Sequence, residues 1–146
     1  MTATNEIIRV AARGDGVTAD GRYVAHAAPG DRLDPSGGLI HGPHHVEAPC
    51  RHFPLCGGCQ LQHLDETSLS AFVRDRVLHA LITQDIEPAE VMAPHLSPPH
   101  TRRRVAVRSA WTGRQFQLGF STEKSHRIID LQQCDVMAPE LFALLK

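Results

Sequence analysis

The sequence predicts an α+β fold: a short N-terminal β-barrel-like segment, then a small antiparallel-sheet domain with one main helix. Three observations carry this. Residues 4–33 are cut by Gly14-Asp15-Gly16, Asp20-Gly21 and Pro29-Gly30-Asp31 into short β-prone runs. From Asp65 to about Gln84, the apolar residues Leu69, Phe72, Val73, Val77, Ala80 and Leu81 recur at helical spacing. From Thr101 to Trp111, Val105 and Val107 alternate with Arg104, Ala106 and Arg108, which is the period of a strand.

Each element follows in order. Glu6–Ala11 reads as a first strand and Tyr23–His26 as a second, joined through turn signals at residues 14–17 and 19–22. A segment this short suits a reduced or open barrel. Residues 34–49 hold Pro35, Gly37, Gly38, Gly42, Pro43 and Pro49 and read as a linker. The helix starts with Asp65 or Thr67 as its cap, and Pro88 stops continuation. Pro94, Pro98 and Pro99 make an extended connector. Thr101–Trp111, the turn Thr112-Gly113-Arg114 and Gln115–Ser121 read as a hairpin, with Arg127–Leu131 as a third strand. Pro139 can start a last short helix, Glu140–Leu145.

Composition removes several classes. With 146 residues, 42% hydrophobic and 21% charged, the chain suits one ordinary domain or two small ones and is not disordered throughout. Apolar runs are only a few residues long, so no bilayer-spanning segment is expected, and the N-terminus lacks the pattern of a secretory signal. A cytoplasmic protein is the expectation. The net charge of −1 conceals an uneven distribution: residues 100–127 carry six Arg and one Lys against one Glu, and the remainder is acidic. A basic stretch of this kind suggests an anionic partner, nucleic acid being the commonest.

The four cysteines are Cys50, Cys56, Cys59 and Cys134, spaced C-x5-C-x2-C, then 74 residues, then C. Three thiols within ten residues, without an export signal, argue for a metal over disulfides. Gly57 and Gly58 suit a backbone that turns two nearby thiolates toward one centre. Structural zinc usually takes paired knuckles, whereas a cubane iron–sulfur cluster takes one thiolate per iron and accommodates solitary ligands. Spacing alone leaves both open, because His52 and His63 are near enough in sequence to stand in as zinc ligands.

The segment Cys50-x5-Cys56-Gly57-Gly58-Cys59-Gln60-Leu61-Gln62-His63 resembles the iron–sulfur signature of the SAM-dependent RNA (uracil-C5-)-methyltransferases, especially the 23S rRNA enzymes. Thr101-Arg102-Arg103-Arg104-Val105 is similar to that family's basic strand. Leu118-Gly119-Phe120, Ser125 through Cys134, and Met137-Ala138-Pro139-Glu140-Leu141 resemble its hairpin return, its approach to the fourth cysteine and its next helix start. Upstream, Arg13-Gly14-Asp15-Gly16-Val17 and Ala28-Pro29-Gly30-Asp31 resemble the TRAM domain, a small OB-type RNA-binding β-barrel.

The resemblance implies residues 1–47 as a reduced TRAM-like segment and linker. It implies residues 48–146 as an iron–sulfur, RNA-binding central domain, with 139–146 beginning the connection to a catalytic domain. It implies a [4Fe–4S] cluster on Cys50, Cys56, Cys59 and Cys134, structural in role. The family's Rossmann-like domain, with its S-adenosyl-L-methionine loop, nucleophilic cysteine and base, is expected downstream or in a separate chain, and no catalytic residue is assigned here. In the whole enzyme a thiolate would add to C6 of uracil and activate C5 toward the methyl group, with the target base out of its stack. The RNA, 23S rRNA by resemblance, would meet Arg102, Arg103, Arg104, Arg108 and Lys124 through its phosphates, with His126 and Arg127 at the edge of the site. Arg102 and Arg104 share a strand face while Arg103 faces the other way, so at most two of the three would touch one RNA strand. A stand-alone metal-stabilised RNA-binding module is the alternative, and a small electron carrier a weaker one.

Overall fold

The structure, a computed structural model, describes residues 5–146. It is α+β, with three small antiparallel sheets and two helices. The chain forms two compact units: residues 1–47 with 63–96, and residues 48–62 with 97–146. This grouping differs from a split into 1–47 and 48–146, because the long helix and its connector group with the N-terminal segment.

In the first unit, β1 (Ile7–Val10), β2 (Gly16–Thr18) and β3 (Tyr23–Val24) form one antiparallel sheet. The second edge of β1 is taken by the turn that follows, with Ile7 N donating to Asp31 O at 2.8 Å and Gly30 N to Ile7 O at 2.8 Å. β4 (Arg32–Leu33) and β5 (Leu39–Ile40) pair as a small hairpin. Among the described residues the segment is therefore two small sheets joined through the Glu6–Arg32 bridge, with no closed barrel. The β4–β5 hairpin lies partly in the stretch expected as linker. The Asp34 carboxylate makes its turn, accepting from Ser36 N at 2.7 Å and Gly38 N at 2.8 Å. Asp31 is fully buried and holds the unit together, accepting from Ala28 N, Gly42 N and the His45 ring.

Helix α1 (Glu66–Ile82) is capped by Asp65, whose carboxylate accepts from Ser68 N at 2.8 Å. The expected apolar stripe is only partly covered: Leu69, Phe72, Val73 and Leu81 are half-buried, while Val77 and Ala80 are exposed. The Arg76 guanidinium donates to Ala12 O at 2.7 Å, within the same unit. Among the described residues no helix is long and apolar enough to cross a membrane.

In the second unit, β6 (Arg108–Thr112), β7 (Gln115–Ser121) and β8 (Ile128–Asp130) form an antiparallel sheet in that order. Gly113 has φ +64° in the hairpin turn, a conformation that favours glycine. The strand expected from Thr101 begins only at Arg108. Residues 101–107 instead run beside the segment after Cys134: His100 N donates to Asp135 O, Arg102 N to Val136 O and Ala138 N to Arg102 O, each at 2.9 Å. The alternation still sorts this stretch, with Val105 and Val107 half-buried and Arg104, Ala106 and Arg108 exposed. Helix α2 (Pro139–Ala143) starts on Pro139. Cys56, Leu131 and Met137 form the buried centre, with Val105, Val107, Phe120, Ile129, Cys134, Phe142 and Leu145 against it.

Candidate metal centre and nucleic-acid interface

The cysteine loop docks on the end of β7. Cys56 and Thr122 form an antiparallel bridge, Gly57 N donates to Ser121 O at 2.9 Å, and Glu123 N donates to Leu55 O at 3.2 Å. The approach explains both glycines. A Cβ on Gly57 would lie 2.7 Å from Ser121 O, and one on Gly58 would lie 2.8 Å from the Phe120 ring. Neither has a positive φ, so close packing rather than backbone freedom requires them.

All four cysteines line one cavity, together with Phe53, Gln62, Phe120, Leu131, Gln133 and Asp135. None is in a disulfide. Two glutamines outside the cysteine spacing tie the cysteine segments together. Gln62 Oε1 accepts from Cys50 N at 3.2 Å, and the Gln62 side chain favours the Cys59 thiolate. Gln133 Nε2 donates to Pro49 O at 3.0 Å and to Asp135 Oδ2 at 2.8 Å. Their one signal in the sequence is positional, since each sits within three residues of a cysteine.

Burial pushes the thiols of Cys50, Cys56 and Cys59 above their usual range. Cys134 raises all three further, so the fourth cysteine is an electrostatic neighbour of the other three despite its distance in sequence. Four soft sulfur donors around one cavity match the donor set of a thiolate-ligated centre. Among the described residues no three His, Cys, Asp or Glu side chains are grouped tightly enough to hold a single metal ion. The two histidines that kept zinc open lie elsewhere. His52 Nε2 accepts from Gln132 N at 3.1 Å, and His63 is buried in the first unit beside His26 and His45.

The basic residues fall into separate groups. Arg108 and Lys124 line one cavity of about 290 Å³ with Gly57, Phe120, Ser121 and Thr122. Arg127 lines another of about 340 Å³ with Arg51 and His52. Arg102 is near enough to Cys59 to favour its thiolate. Arg103, Arg104 and His126 are exposed. Lys124 pairs with Glu123 at 3.4 Å in the open, a contact of little energetic weight.

Comparison with known proteins gives this arrangement a context. No family model matches the chain. An RNA methyltransferase of Zymomonas mobilis, named as uncharacterized, is 42% identical over 94% of this chain and 34% of its own length. The 23S rRNA (uracil(1939)-C(5))-methyltransferase RlmD of Halomonas elongata is 38% identical over 69% of this chain and 21% of its own length. The chain is similar to RNA methyltransferases. In fold it matches the crystal structure of the Pyrococcus abyssi tRNA (uracil-54, C5)-methyltransferase in complex with S-adenosyl-L-homocysteine. That match has a TM-score of 0.60 and 25% identity, over 94% of this chain and 33% of the other. The chain spans about a third of the length of the first relatives it matches.

Proposed function

We propose that these residues are the RNA-recognition and iron–sulfur portion of a SAM-dependent RNA (uracil-C5-)-methyltransferase that makes 5-methyluridine, with 23S rRNA as substrate in the cytoplasm. The observation that carries the reading is the convergence of Cys50, Cys56, Cys59 and Cys134 on one cavity beside a basic surface. The similarity to RNA methyltransferases, one of them acting on 23S rRNA by name, supports it.

In this reading the four thiolates hold a [4Fe–4S] cluster. Four sulfur donors, two of them solitary in sequence, suit one thiolate per iron, and His52 and His63 are engaged away from the cavity. When bound, the cluster supplies a cross-link between the 50–59 loop and the segment at Cys134. The chain's own residues do the rest. Gln62 holds the backbone at Cys50, Gln133 links the Pro49 carbonyl to the Asp135 carboxylate, Phe120 and Leu131 line the cavity, and the arginines present positive charge to phosphate. All four cysteines are committed to the cluster, so the C6 nucleophile and the S-adenosyl-L-methionine site are assigned to the remaining length that the relatives have.

The test is the iron, acid-labile sulfide and zinc content of protein purified without oxygen, read with its visible spectrum. About four irons and four sulfides per chain are expected. One zinc and no sulfide would overturn the assignment.

A further inference from the structure

The β6–β7 hairpin carries two large aromatic side chains that its own unit does not cover. Trp111 is 71% exposed and Phe116 is 52% exposed. They are directly paired across the two strands, with ring centroids 5.4 Å apart and planes inclined by 56°. By strand alternation they share the face of Leu118 and Phe120, the face that reaches the buried centre further down the hairpin. The apolar stripe thus starts in the core and runs out into the open at the hairpin's far end.

The surroundings indicate what would cover it. The sequence has no acidic residue between Glu90 and Glu123, so the whole hairpin is free of carboxylates. Arg114 sits exposed in the turn next to the pair, whereas Arg108, paired with Gly119, faces the other side of the sheet. β6 is an edge strand, exposed along its full length, with one edge unpaired in the described residues. A protein partner for an aromatic pair needs a matching apolar surface. A single-stranded nucleic acid needs an aromatic face for the base and positive charge for the phosphate, and the pair offers the face with Arg114 in the adjoining turn.

We propose that Trp111 and Phe116 form a stacking platform for an unpaired base of the RNA, with Arg114 in the adjoining turn for a phosphate. The inference rests on the RNA-binding reading above and adds to it a base-contacting site outside the basic triplet at 102–104.

The single tryptophan makes the test direct, since all indole emission comes from Trp111. The full 146-residue chain is titrated with a short unlabelled oligouridylate while Trp111 emission is followed. Binding is measured separately by the anisotropy of the same oligonucleotide carrying a dye. Saturable quenching that tracks binding is expected. Trp111→Ala is expected to weaken binding at least about fivefold, the lower end of what one stacked base contributes, while leaving the salt slope unchanged. Trp111→Phe is expected to recover most of the affinity, and circular dichroism melts of both variants report whether the hairpin still folds.

Saturable binding with unchanged Trp111 emission and wild-type affinity in Trp111→Ala would overturn the platform and leave the RNA reading standing. It would assign the aromatic pair to a contact within the longer enzyme. No binding of the wild-type chain at any salt would overturn both.

Discussion

Replacing Gly57 with alanine tests the packing of the cysteine loop most sharply. The new methyl would sit 2.7 Å from Ser121 O, well inside contact distance. The obstacle is backbone, so no side-chain rotation relieves it. The same carbonyl accepts from Gly57 N at 2.9 Å, so moving the loop away from the clash also stretches that hydrogen bond. Overpacking costs about 1–3 kcal/mol and breaking a hydrogen bond about 1 more, giving roughly 2–4 kcal/mol against the folded unit. Gly58→Ala is the internal control. Its methyl meets the edge of the half-buried Phe120 ring at 2.8 Å, and a ring can turn. Its cost should be smaller, about 1–2 kcal/mol. The assay is chemical denaturation of both variants beside iron content per chain. Gly57→Ala should be the less stable and the poorer in iron. A Gly57→Ala protein with wild-type midpoint and full iron would refute the claim that glycine is needed there for close approach.

Cys134→Ser should lose most bound iron together with thermal stability, because it removes the donor separated from Cys59 by 74 intervening residues; full iron and an unchanged melting temperature would refute this. Arg102→Ala with Arg104→Ala should weaken RNA binding and lower the slope of log affinity against log salt by about one for each phosphate no longer neutralised. An unchanged slope would remove both arginines from the interface. Burial, helped by the neighbouring His45 and His26, lowers the pKa of His63 from 6.5 to about 4, against the opposing pull of the Ala27 carbonyl and Asp31. The unfolded chain therefore takes up a proton first as pH falls. The stabilising effect is fully present above about pH 6.5 and fades toward pH 4, by at most about 3 kcal/mol. Melting of His63→Gln across pH 7 to 4.5 should be flatter than wild type, and parallel curves would rule the histidine out.

The parts of the fold that are legible in the sequence are those governed by local chemistry. Asp65 and the apolar spacing mark α1, Gly113 marks the β6–β7 turn, and Pro139 marks α2. The misses have a common origin in non-local pairing. Residues 101–107 alternate as a strand would, yet the backbone bonds of Arg102 go to Val136 and Ala138, which no local pattern signals. The β4–β5 hairpin is hidden because its strands are two residues each, although Asp34-Pro35-Ser36-Gly37 between Leu33 and Leu39 is a turn signal in itself. At the candidate site, spacing can pick out the cysteines but not their joint cavity, nor the roles of Gln62 and Gln133. Helix α1 shows the opposite case, where a correct pattern leaves Val77 and Ala80 in the open.

The construction of the second unit gives a physical reason for its cysteines. The unit is discontinuous: residues 48–62 reach it before α1, and residues 97–146 return to it afterwards. Bringing these pieces together requires closing a long loop, and the entropic cost must be met by contacts between them. The buried apolar cluster that could meet it is Cys56, Leu131 and Met137, with half-buried residues packed around it and Cys50 and Ile128 the unit's other buried apolar residues among those described. A core this thin is the situation in which small domains rely on disulfides or metals. Three cysteines lie on the first piece and the fourth on the second, so a centre ligated by all four ties the pieces at the point where the hydrophobic contribution is weakest. The basic residues of the proposed RNA surface, Arg102 to Arg127, all lie on the returning piece. Their placement relative to the loop then depends on that same tie. Loss of the cluster should therefore weaken RNA binding even where every arginine is intact.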